Sequence, residues 1–173
     1  MSPEPAAPSS LQEVAESRRR ARPTISLKGR ALRYLARREY SRAELRRKLL
    51  PSAVDAAELD AVLDDLEAKR LLSDRRYAEV LAQSKGSRYG VASLSRSLAQ
   101  QGVSADVAAV ALEPLRANER ERALAVWRRR FGEPPADLKE RARQHRFLLA
   151  RGFEAATVTW VLKRAGGADL DDA

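Results

Sequence analysis

A chain of 173 residues with 33 basic against 24 acidic side chains, a net charge of +9 and no cysteine has room for one domain or one array of small units. Disulfides and cysteine-held metals are excluded, and no window approaches the roughly 18 consecutive apolar residues of a membrane-spanning helix. The basic excess favours polyanions, whether nucleic acid or acidic protein surfaces.

Residues 1–26 are rich in Pro, Ser, Ala and Glu and lack the basic start and apolar run of a secretory signal. They hold too little apolar surface to offset ordering entropy, so a disordered tail on a cytoplasmic protein is expected. Leu27, Ala31, Leu32, Tyr34 and Leu35 then make a short helix. A second opens at Tyr40-Ser41-Arg42-Ala43-Glu44-Leu45, where Ser41 and Glu44 form a capping box and Tyr40 staples onto Leu45. Pro51 prevents its continuation. Asp55 with Glu58 starts a third helix through Leu59, Val62, Leu63 and Leu66.

The trio then returns. Ser73-Asp74 starts a helix with Tyr77, Val80 and Leu81 on one face, and Gly86 to Gly90 breaks it. Val91 to Gln101 forms the next, closed by Gly102 in the place a left-handed cap prefers, and Ser104 caps a third that should stop near Pro114. The last trio covers about Asn118 to Phe131, Asp137 to Arg151 and Glu154 to Arg164, before an acidic tail with Asp169, Asp171 and Asp172.

Alternating β-branched runs are absent, and the pattern repeats. Leu49…Val54…Leu63 matches Leu98…Val103…Leu112 and Leu148…Phe153…Leu162, with the middle residue recurring after 49 and then 50 positions. The expected architecture is all-α: three tandem three-helix repeats in an elongated, curved array, with repeats at 27–71, 72–116 and 117–165 between tails at 1–26 and 166–173. Units this small imply apolar faces buried against neighbours and a long binding surface in place of a deep pocket.

Several stretches resemble the RecX family of bacterial regulators of the recombinase RecA. In the first unit they are Tyr40 to Leu49; in the second, Leu71-Leu72-Ser73-Asp74-Arg75-Arg76-Tyr77-Ala78, Ser87-Arg88-Tyr89-Gly90 and Leu98 to Val103; in the third, Arg146 to Phe153. Together they cover roughly residues 28–164. The resemblance implies docking in the groove of the RecA–single-stranded-DNA filament and restraint of filament growth, ATP hydrolysis, strand exchange and co-protease activity. One departure stands out: Pro51-Ser52-Ala53 replaces a shorter, Gly-containing turn.

Catalytic chemistry has little support in the residues. His145 is the sole histidine, Asp64 and Asp65 point about 100° apart on a helix, and Lys85-Gly86-Ser87-Arg88-Tyr89-Gly90 lacks the spacing of a phosphate loop. A binding protein without cofactor or metal, monomeric and free of membrane, is expected. The charges carry more information. Residues 28–48 hold nine basic and two acidic side chains, whereas 55–67 hold six acids and no base. Either these pair across the first unit, each exposed pair contributing about 0–1 kcal/mol, or the basic helices face a partner.

Arginine's planar fork suits phosphate and carboxylate alike. The candidate partner surface is Arg37, Arg46 and Arg47 in the first unit; Arg75, Arg76, Lys85, Arg88, Tyr89 and Arg96 in the second; and Arg128, Arg129, Arg143, Arg146 and Arg151 in the third. Tyr34, Tyr77, Trp127, Phe147 and Trp160 sit on apolar faces and read as core. Tyr89, in a turn, is the aromatic left for a partner. A helix-turn-helix module gripping DNA through Arg46, Arg47 and Lys48 is the rival reading, and direct contact with single- or double-stranded DNA is left open by both.

Overall fold

Residues 25–166 of this computed structural model are described; among them are nine α-helices, one 3₁₀ turn and no strand. The expected tails lie outside these residues except at their inner edges, where Ile25 and Ser26 lead into the first helix and Gly166 ends the last. The first trio is α1 (Leu27–Leu35), α2 (Arg42–Leu49) and α3 (Ala56–Ala68), with the 3₁₀ turn Leu50–Ser52 between the last two. The second is α4 (Asp74–Lys85), α5 (Val91–Gln100) and α6 (Ala105–Ala117). The third is α7 (Glu119–Arg130), α8 (Leu138–Ala150) and α9 (Ala155–Ala165).

Local chemistry fixes most helix starts. Ser26, Ser41, Asp55, Ser73, Ser104 and Asp137 each accept an N–H from three residues on, the geometry of a side-chain cap. The expected capping box at Ser41 is half formed. The Glu44 amide donates to Ser41 Oγ at 3.0 Å, but the Glu44 carboxylate turns to Arg38, at 2.5 and 3.1 Å. Pro114 does not stop α6, which runs on to Ala117. Pro114 and Val110 lie on the exposed side of that helix, so the carbonyl freed by the missing N–H faces water.

Each trio closes over its own core. Leu45, Leu49, Leu59, Leu63, Leu66 and Leu72 centre the first; Leu94, Leu98, Val103 and Leu112 the second; Trp127, Leu148, Phe153, Val158 and Val161 the third. The expectation that apolar faces are buried mainly between neighbours is therefore corrected. Three helices crossing at tight turns enclose eight to ten buried apolar residues per unit, and the close helix pairs all fall within a trio.

What joins the units is polar, and it occurs twice. The first residue of a unit's first helix is an acid that accepts the first N–H of the preceding unit's second helix. Arg42 N donates to Asp74 Oδ1 at 2.7 Å, and Val91 N to Glu119 Oε1 at 2.9 Å. The turn between a unit's second and third helices then docks on the same helix start. Ser41 Oγ donates to the Gln101 carbonyl at 2.6 Å, and Gly90 N to the Arg151 carbonyl at 2.9 Å.

Gly102 and Gly152, with φ of +76° and +81°, form those two turns. A Cβ on Gly102 would lie 2.5 Å from Ala43 Cβ, and one on Gly152 2.5 Å from Ser93 Cβ, so glycine serves both the left-handed turn and the close approach. Among the described residues, the turn of the first unit has no preceding unit to touch. There Leu50-Pro51-Ser52 winds into 3₁₀ geometry, Ala53 packs on the core, and Val54, expected to match Val103 and Phe153, is 90% exposed.

Candidate functional site

The charge asymmetry of the first unit is resolved largely from within. Arg42 bridges Asp64 and Glu67, at 2.7 and 2.6 Å. Arg46 meets Asp60 at 3.0 Å, and Asp65 takes both Lys28 and Lys69. The hydrogen bond from Arg46 holds the Asp60 carboxyl below its ordinary range, and those from Lys28 and Lys69 do the same for Asp65. For these residues, then, the acids pair across the unit.

The candidate surface divides accordingly. Arg46 belongs to that network, Arg47 donates to Gln101 Oε1 at 2.6 Å, and Arg76 joins Glu39 at 3.0 Å while donating to the Leu71 carbonyl. Arg75 pairs with Glu79 and Arg143 with Glu140, each along one exposed helix side. Arg128 is exposed on α7; Arg146 lines a shallow hollow with Lys139 and Asp137; Arg37 lines a separate cleft on the first unit.

Six cations remain together where the second and third units meet. One concavity of about 300 Å³ is lined by Arg88, Tyr89, Arg129, Arg130, Phe147 and Arg151, with Val126 at its floor. A second, of about 380 Å³, shares Tyr89 and adds Lys85, Arg96 and Gln100. Among the described residues, none of these six cations forms an ion pair with a carboxylate. Tyr89 is 37% exposed between the two hollows. The Arg151 guanidinium lies 3.7 Å from the Phe147 ring centroid, and Phe131 meets Phe147 edge-on at 5.0 Å.

The groove is held from beneath by the first turn of α7. Arg122 donates to the carbonyls of Gly86 and Tyr89, at 2.5 and 2.8 Å, and to that of Leu115 at 2.7 Å, which fixes the loop bearing Lys85, Arg88 and Tyr89. Burial pushes the Arg122 guanidinium down from its ordinary range, with Glu119 opposing. Glu119, buried, accepts from Val91 N, Glu154 N and Thr157 Oγ1. It thereby caps α5 and α9, two helices without a side-chain cap of their own.

Residue types placed Arg130 in the arginine run of the third unit without adding it to the candidate surface, and read Phe147 as core. The i, i+4 spacing of Phe147 and Arg151 was the available signal for a ring beneath a guanidinium. Glu119 and Arg122 carried no such signal, since the partners that tie them to the second unit's loop, to α5 and to α9 lie 28 to 38 residues away in sequence.

Three helical trios in line, joined at polar junctions and carrying an open cationic groove, define a tandem three-helix-repeat protein with the surface of a binding module. Residues 28–66 match the family model described as the first three-helix domain of RecX, and residues 118–162 that of the third. The regulatory protein RecX of Leptothrix cholodnii is 54% identical over 144 residues, covering 83% of this chain and 92% of the relative. That of Ralstonia nicotianae is 50% identical over 153 residues, 87% and 94% of the two chains. The crystal structure of RecX from Lactobacillus salivarius shares the fold, with a TM-score of 0.70 at 18% identity over 81% of this chain and 94% of that one. The chain belongs to the RecX family of regulatory proteins. No helix among the described residues is long and apolar enough to cross a membrane.

Proposed function

We propose that this protein acts by binding, not catalysis: it lies along the RecA–single-stranded-DNA filament and restrains its recombinase, ATPase and co-protease activities. The observation that carries this reading is the groove around Tyr89, where six cations without carboxylate partners flank an exposed ring. A filament repeats its anions along its length. Units tied in line can engage several of them at once, so weak contacts multiply through effective concentration. The test is RecA ATPase on single-stranded DNA with the protein titrated in; no change at stoichiometric amounts rejects the proposal.

A second reading, direct binding of DNA, draws on the same groove, because arginines interleaved with Tyr89 and Phe147 suit a single strand with stacked bases. The helix-turn-helix version is the weaker one, since Arg46 and Arg47 are engaged inside the chain. Affinity for bare DNA against RecA-coated DNA separates the readings. Filament regulation requires the coated strand to win, whereas direct binding gives a steep salt dependence on bare DNA. Arg88→Glu, Arg129→Glu and Arg151→Glu together should weaken filament binding by at least about tenfold, roughly 1.4 kcal/mol, with the circular-dichroism spectrum unchanged.

A further inference from the structure

A different set of cations, on the first unit, remains unexplained by the filament reading. Arg30 and Arg33 share one side of α1, Arg37 follows in the turn just beyond its end, and Lys48 from the last turn of α2 faces them across an open cleft of about 260 Å³. Tyr34 and Ser52 complete the walls, and the Lys48 ammonium stands 5.6 and 5.9 Å from the ring centroids of Tyr34 and Tyr40. The contrast with their surroundings is informative. Lys28, Arg38, Arg42 and Arg46 each hold a carboxylate, while among the described residues none of the four cleft cations does.

A cation near a helix C-terminus complements the helix dipole, which accounts for Lys48 or Arg33 singly. It does not account for four converging on one hollow, where like charges repel. An anion in the cleft relieves that repulsion. Guanidinium forks and the Ser52 hydroxyl donate hydrogen bonds of the kind phosphate oxygens accept. The hollow lies below the usual range of about 300–1,000 Å³ for organic ligand pockets, which points to a small ion of concentrated charge. Phosphodiesters spaced along a strand, one charge each, use such convergence poorly.

We propose that the cleft between α1 and α2 is a binding site for a compact polyphosphate group of the pyrophosphate class. The site is separate from the groove around Tyr89 and does not rest on the filament reading.

The test is isothermal titration of the full chain with sodium pyrophosphate at constant ionic strength, with sodium sulfate as a competitor. One saturable site is expected, weakened at least about tenfold, roughly the value of one charge-assisted hydrogen bond, in Arg33→Ala with Arg37→Ala. The groove pair Arg129→Ala with Arg151→Ala should leave it intact. Arg33 and Arg37 are exposed, so helicity should persist; if it does not, Lys48→Gln, which leaves α1 untouched, should weaken binding alone. Four results would overturn the proposal: no saturable heat, equal loss in both double variants, undiminished binding when the cleft cations are removed, or sulfate competing as well as pyrophosphate.

Discussion

The two junctions of this molecule share one plan and differ in how deeply they are buried. At the first, Asp74 caps Arg42 N, and Arg76 reaches back to Glu39 through side chains that remain 39% and 28% exposed. At the second, Glu119 caps Val91 N from a buried position, and Arg122 spends its donors on three backbone carbonyls. Exposed ion pairs contribute about 0–1 kcal/mol. A buried charged group bonded to backbone costs more to remove, because its partners are left unsatisfied. The second joint, between the two units that carry the groove, should therefore be the stiffer of the two.

The sharpest way to break this contrast is Arg122→Ala. It strands the carbonyls of Gly86, Tyr89 and Leu115 and should cost about 3 kcal/mol in urea unfolding. Arg76→Ala, which removes the arginine of the first joint, should cost about 1 kcal/mol or less. Equal losses would mean that the two joints do not differ in strength.

Next come the two docking glycines. Gly152→Ala forces a Cβ onto the backbone of Ser93 as well as its side chain, and should cost about 3 kcal/mol, combining left-handed strain with a clash. Gly102→Ala meets chiefly Ala43 Cβ and should cost about 2 kcal/mol. Ala43→Gly in the same chain should recover part of the Gly102→Ala loss, as thermal melts of the single and double variants would reveal.

A smaller effect follows from screening. At about 1 M salt, where the Debye length is about 3 Å, hydrogen exchange at the Arg42 amide should accelerate more than at the Val91 amide. The smallest effect is in acid. Asp60 and Asp65 have depressed folded-state pKa values, so their pairs stabilise above the ordinary carboxylate value of 3.8 and fade as pH falls below it. Exchange in α2 and α3 should rise there before exchange in α9 does.

Much of the fold was legible because it is written locally. Ser41, Asp55, Ser73, Ser104 and Asp137 mark helix starts by chemistry that acts over three residues, and Gly102 and Gly152 mark turns through their backbone freedom. Pro114 misled because the rule against proline assumes a buried or bonded carbonyl four residues back, and there the helix side is wet. The site was legible only in part. Arg88, Tyr89, Arg129 and Arg151 could be singled out by type, but whether an arginine is free depends on acids distant in the chain, as Glu39 shows for Arg76 and Asp60 for Arg46. Glu119 and Arg122 resembled any charged helix start.

The Pro51 turn has a consequence for how units of this kind join. A unit is added by laying its glycine corner on the helix start of the unit before it, and the leading unit has a proline-stiffened corner with no bare Cα to offer. In the third unit Leu138, in the position held by Arg42 and Val91 in the earlier units, is 84% exposed, with none of the described residues laid over it. Joining is thus polar: each unit offers a corner to the unit before it and a helix start to the unit after it, and a proline corner cannot make the close approach that Gly102 and Gly152 make.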